Sequence, residues 1–200
     1  MSNKITPHQL RIREACSRGV YLAEKLLGDE GTTLTREFVI GMLMHPEARA
    51  HYGWLADNYS ETPTLEGQDL SGVELIRGGF EFANCIATDF SGCNLDRSSF
   101  YTAELDYAEF VGASIFRGDF DSVNAYHTDF RDTWLYSAVF RHADLRGADF
   151  RGARLKDATF DHANLRKTKW EGAQLENVSF PGAYVDEDTK ETLRSKGVEI

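Results

Sequence analysis

From Leu65 to Val185 an apolar residue stands at every fifth position, with no insertion anywhere in the series. Two places before it comes a second, smaller set, chiefly alanine, as at Ala103, Ala108, Ala113, Ala143 and Ala148. Residues two apart in an extended segment point the same way, so both sets face one interior. The residue between them points outward, and the remaining two must turn the chain to restore the register. A period of five fits neither a 3.6-residue helix nor an ordinary alternating strand. It predicts a solenoid of three-residue strands joined by two-residue corners.

The outward residues set the number of sides. Gly72, Gly92, Gly112, Gly152 and Gly172, with Asp132 as the one interruption, mark one corner every twenty residues. Glycine there suits a turn that needs positive φ. Asp69, Asp89, Glu109, Asp129 and Asp149 repeat at twenty as well, as do Arg77, Arg97 and Arg117. Twenty residues per coil and five per side make four sides. Phenylalanine fills most central positions of two opposite walls (Phe80, Phe90, Phe100 and onward, with Trp170 in the series), and leucine most of the other two. Cys85 and Ala125 interrupt one leucine wall, where a pinched or underpacked core is expected.

Segments such as Ala143-Asp144-Leu145 and Ala163-Asn164-Leu165 give the pattern A-[DN]-[LF]-x-x, which resembles the pentapeptide-repeat family over residues 65–185 of the 200. The resemblance implies an all-β solenoid, a right-handed quadrilateral parallel β-helix of about six coils. At roughly 4.8 Å per coil that is a rod of roughly 29 Å. Some members of that family imitate DNA and bind topoisomerase II enzymes such as gyrase, conferring resistance to drugs or toxins. Their termini sometimes form a dimer contact, so the resemblance leaves a homodimer through a terminal cap open.

The flanks lack the period. Residues 1–60 read as a small α-helical segment: Thr6 and Pro7 start a helix striped by Leu10, Ala15, Val20, Ala23 and Leu27, and Gly28 ends it. A second helix carries Phe38, Val39, Met42 and Leu43; a third opens at Pro46 and carries Ala50, Trp54 and Leu55. Such short helices are expected to cover the open end of the first coil and to serve as a cap or an interaction segment. The repeat domain spans 61–185, with its junction at Glu61–Thr64. Residues 186–200 are expected to form a short capping helix, started by Asp186 or Asp188 and stopped by Gly197.

Charge narrows the partners. The chain carries a net charge of −10, which argues against direct nucleic-acid binding. Residues 1–64 hold seven Lys or Arg against eight Asp or Glu, too few for a DNA-reading helix pair. Residues 65–130 hold twelve acids and three bases, whereas residues 131–185 hold seven and nine. No apolar run reaches membrane-spanning length, and the N-terminal sequence lacks the apolar core of a secretory signal. Of the three cysteines, Cys85 and Cys93 fall on inward positions, which together with Cys16 in a helix points to a reducing cytoplasm.

Two surface features are candidates for function. The first is an exposed patch on one side: Ile76, Phe116, Trp134 and Tyr136, with Arg77, Arg97 and Arg117 beside them. Aromatic residues next to arginine are enriched at protein interfaces. The second is the acidic stripe Asp69, Asp89, Glu109, Asp129 and Asp149, the most phosphate-like column of the rod. Residues 65–130 over all four sides carry about one net negative charge per 1.8 Å, near the roughly one per 1.7 Å of duplex DNA. Against it, a short acid at that repeat position also suits bonding to nearby backbone. The basic C-terminal half, with Arg131, Arg141, Arg146, Arg151, Arg154 and Lys156, departs from an acidic mimic. His142 and His162 share a column but make a poor metal site. No catalytic, cofactor-binding or metal-binding motif is present, and a loop-free rod offers no substrate cleft. The expectation is a non-enzymatic scaffold for an unidentified protein partner, with topoisomerase modulation as the alternative.

Overall fold

The computed structural model describes residues 65–200. The expectations for residues 1–60, for Cys16 and for the junction at 61–64 lie outside the described residues.

Twenty β-bridges, from Asp69↔Asp89 to Asn164↔Tyr184, are all parallel, and each joins residues twenty apart. This register makes the quadrilateral coil. The sides are numbered here by their central residues: the first runs through Leu65 and Cys85, the second through Leu70 and Phe90, the third through Leu75 and Leu95, the fourth through Phe80 and Phe100. Each side contributes a single bridged residue to a coil rather than a continuous three-residue strand. The cause lies in the corners, which take two residues of every five.

Around Phe130 every backbone N–H has a partner. Phe130 donates to the Asp149 carbonyl at 2.8 Å and Asp132 to that of Arg151 at 3.0 Å, both on the next coil. Asp129 donates to Ala108 on the preceding coil at 2.9 Å, and Thr133 closes the turn onto Phe130 at 3.4 Å. The Arg131 N–H, stranded at the corner, donates to Asp129 Oδ1 at 3.0 Å. Buried amides need such partners, and the Asp side chain supplies the one the backbone cannot.

Positive φ is not confined to the glycine corner. Among the described residues sixteen non-glycine residues adopt it, including Arg77 (59°), Arg97 (62°), Arg117 (56°) and Asn177 (56°). A left-handed third residue is the type II signature, so the corner geometry overrides residue preference at each of them.

The core is layered by the coil pitch. Along the fourth side, Phe100 and Phe120 stack with centroids 4.9 Å apart; across the interior, Phe110 meets Phe120 edge-on at 5.8 Å. The aromatic columns therefore stack along the axis and interlock at right angles across it, both favoured geometries. Trp170 continues one column, and its indole N–H donates to Thr168 Oγ1 at 2.7 Å. Inward hydroxyls are likewise satisfied, as where Thr128 Oγ1 donates to the Leu105 carbonyl at 2.8 Å. Ala125 and Cys85 are fully buried. Beside Ala125 the second inward position holds buried Val123 instead of alanine, which returns volume to that layer. Gly118 sits where a Cβ would lie 2.5 Å from Ile115, so glycine there makes room for the core. Burial pushes the Cys85 thiol well above its ordinary pKa, leaving an inert packing group.

Helix α1, Glu187–Ser195, follows the last coil. Asp186 caps it, accepting from the Thr189 N–H at 2.9 Å and from the Lys167 N–H of the last coil at 2.8 Å. Burial opposes the charge on Asp186, but these bonds hold its carboxyl below the ordinary range. Leu193 of α1 is fully buried, while Ala173, Leu175 and Ala183 of the last coil remain half-buried, so the cap covers the edge in part. No helix among the described residues is long and apolar enough to cross a membrane.

Candidate protein-binding face

The third side gathers the predicted patch. Trp134 is 46% exposed and Ile76 41%, while Phe116 and Tyr136 are half-buried. The bridge series Ser114↔Trp134 and Trp134↔Arg154 sets Trp134 in one outward column, and Ile76, Phe116 and Tyr136 stand in the next column, across the central residues. Trp134 and Tyr136 meet edge to face at 6.4 Å. The guanidinium of Arg154 lies over the Trp134 ring, 4.5 Å from its centroid, and that of Arg117 lies over Phe116 at 5.0 Å. Cation–π attraction of this kind favours a guanidinium over the ring face. Arg77 and Arg97 continue the corner column below Arg117. Ile76 stands apart: Asp96 occupies the coil between it and Phe116, accepting from Ser114 Oγ at 2.7 Å and from the Phe116 N–H at 2.9 Å. Arg154 was absent from the sequence-derived patch; its signal is its position twenty residues beyond Trp134.

The acidic stripe runs up the second side as one bridged series, Asp69–Asp89–Glu109–Asp129–Asp149, ending at Lys169. Four of its five acids are used locally. Asp69, Asp89, Asp129 and Asp149 each accept the N–H two residues on, at 2.9, 2.8, 3.0 and 3.1 Å. Asp129 also pairs with Arg131 at 2.7 Å, and Asp149 with Arg151 at 2.6 Å and Lys169 at 3.8 Å. Burial raises the Asp149 pKa, but Arg151 and Lys169 more than offset it and hold the carboxyl below its ordinary range. The stripe's upper end is therefore neutralised, whereas Asp89 and Glu109 form no ion pair among the described residues.

A third feature is an aromatic cluster built from neighbouring coils. At the corner of the first side, Tyr107 stacks on His127 at 5.9 Å and meets Tyr126 edge-on at 5.8 Å, while Arg146 lies over Tyr126 at 5.7 Å. Spacings of nineteen and twenty residues are the signal that links them. On the fourth side, His142 and His162 stack in parallel at 5.2 Å, which keeps both rings in separate planes. Among the described residues no three His, Cys, Asp or Glu side chains gather to hold a metal ion.

The family model for pentapeptide repeats (8 copies) matches residues 80–121, 126–161, 135–169 and 158–186. No curated protein matches the chain. Among solved structures the chain is similar to Rfr23, a pentapeptide repeat protein of the cyanobacterium Cyanothece 51142. The identity is 23% over 61% of this chain and 86% of that one, with a TM-score of 0.46. A pentapeptide repeat protein of the Arabidopsis thaliana thylakoid lumen shows 23% identity over 66% and 74%, at a TM-score of 0.36. QnrB1, a plasmid-mediated fluoroquinolone resistance protein, shows 16% over 66% and 85% in its full-length form, at 0.28.

Proposed function

This chain belongs to the pentapeptide-repeat family of right-handed quadrilateral β-helices, and from its surface we propose that it is a non-enzymatic protein-binding scaffold of the cytoplasm. The third side is the docking face. The observation that carries this reading is the concentration there of exposed Trp134, half-buried Tyr136 and Phe116, and the arginines laid over two of those rings. Rigid aromatic anchors beside arginine are the residues that dominate interface energies. A side free of insertions presents them on a flat, preformed surface, so little ordering entropy is lost on binding.

The test is a photo-crosslinking residue placed at Tyr136 of the full chain in the cells that produce it. A discrete protein adduct is expected from position 136 and not from position 91 on the second side. Its loss on alanine substitution of Phe116 and Trp134 ties it to the face. An adduct from position 91 alone would move the docking site to the second side, and none from either would sink the reading.

One observation favours a second reading. Asp69, Asp89 and Glu109 form a column one coil apart beside the bare corner Gly72, Gly92 and Gly112, where an added Cβ would meet nothing within 4 Å. Such a column could stand in for a phosphate backbone before a topoisomerase such as gyrase. Supercoiling by purified gyrase, titrated with the full chain, tests it. Inhibition that vanishes on charge reversal at Asp89 and Glu109 supports mimicry, and no effect at high concentration removes it.

A further inference from the structure

The arginines of the rod divide largely by side, with Arg166 on the first side the one exception, exposed and without an ion pair among the described residues. Arg131, Arg141, Arg146 and Arg151, on the other three sides, each pair with a carboxylate at 2.6 to 3.0 Å. Arg77, Arg97, Arg117 and Arg154, all on the third side, form no ion pair among the described residues. They are also the reason this side differs in charge: the three bases of residues 65–130 all lie on it, and the other sides of that stretch carry acids alone. The third side's own acids are turned to other uses. Asp96 is taken by Ser114 and Phe116, and Asp157 accepts from Asn177 at 3.1 Å.

We propose that the third side binds an extended acidic segment of a partner protein, with carboxylates along the Arg77–Arg97–Arg117 column and an apolar side chain against Trp134. This rests on the reading of that side as the docking face. A guanidinium held over a ring by its charge uses none of its N–H donors there, so Arg117 and Arg154 keep paired donors for a carboxylate. Successive rungs lie roughly 4.8 Å apart, and the four coils from Arg77 to Arg154 span roughly 19 Å, about six residues of extended chain. A segment that short touches one side only. A long polyanion would meet the field of the acidic sides as well, which is why a peptide and not a nucleic acid fits.

Fluorescence anisotropy of the full chain with a labelled decapeptide of alternating Glu and Ser ending in Leu-Trp tests this, against the same peptide with Gln for Glu. The acidic peptide should bind at least about tenfold tighter than its Gln analogue, with an affinity that falls as salt rises. The variant Arg77→Asn/Arg97→Asn/Arg117→Asn should lose most of that advantage. Its corners accept asparagine, since Asn177 already holds φ 56° in the same column, so folding is preserved. Arg141→Gln/Arg151→Gln, on other sides, should leave binding unchanged.

Equal binding of the Gln analogue overturns the inference while leaving the cross-link at Tyr136 to judge the docking face itself. Undiminished binding by the triple variant also overturns it, as does tighter binding of a short thymidine oligonucleotide. A salt-sensitive oligomer of the chain alone, abolished in the triple variant, would assign the arginines to a second copy instead.

Discussion

The second and third sides share one backbone ladder and differ in what their charges do. On the second side carboxylates close the corner amides and hold Arg131 and Arg151 in place, so charge there is structural. On the third side arginines sit at strained corners, over aromatic rings or out in solvent, without an ionic partner. The difference shows that a repeated surface residue is best judged by whether its neighbours already use it. Periodicity by itself does not separate the two cases.

The sharpest way to break the comparison is to remove what both sides stand on. Phe120, fully buried between stacked and edge-on neighbours, should cost about 3–5 kcal/mol as Phe120→Ala, read by chemical denaturation, and should abolish docking with it. Next, Asp149→Ala strands the Arg151 amide and two cationic side chains, so a loss of about 1–3 kcal/mol is expected. Arg154→Ala, by contrast, should leave stability within about 0.5 kcal/mol and weaken docking.

A corner exchange is smaller still. Arg117→Gly should stabilise by up to about 1 kcal/mol by relieving its left-handed backbone, whereas Gly112→Ala, at φ 68°, should cost about as much. Acid should separate the sides last. The folded pKa of Asp149 is depressed, so its contribution is complete above the unfolded value near 3.8 and fades as pH falls below it. Asp149→Asn should flatten the acid limb of a thermal-melt profile, and Arg154→Ala should leave that limb unchanged.

The inward positions were legible because the core allows one period: Leu145, Phe150 and Leu155 face inward by arithmetic. The start of α1 was legible as Asp186 or Asp188, with Asp186 the cap in the structure, and its stop near Gly197, because capping is local chemistry. The fate of the surface charges was harder. Asp129-Phe130-Arg131 and Asp149-Phe150-Arg151 contain the pairing pattern, an acid two residues before an arginine across one central side chain, but the pairing depends on side-chain reach that spacing does not fix. Arg154 and the Tyr107–Tyr126–His127 cluster were missed as contacts because their partners lie a coil away. The breadth of the positive-φ corners was hidden for the opposite reason: arginine, serine and histidine sit there against their own preference.

The core repeats every five residues, but the bridges join residues twenty apart, so the chain has two natural step sizes. Gain or loss of five residues leaves every inward position filled but rotates all later outward residues by a quarter turn, carrying Trp134 away from the side of Arg117. Only a step of twenty changes the length and keeps each side aligned. Descendants of such a gene can vary their length by whole coils and keep their partners, whereas a five-residue slip, silent to the core, redraws the surface in a single event.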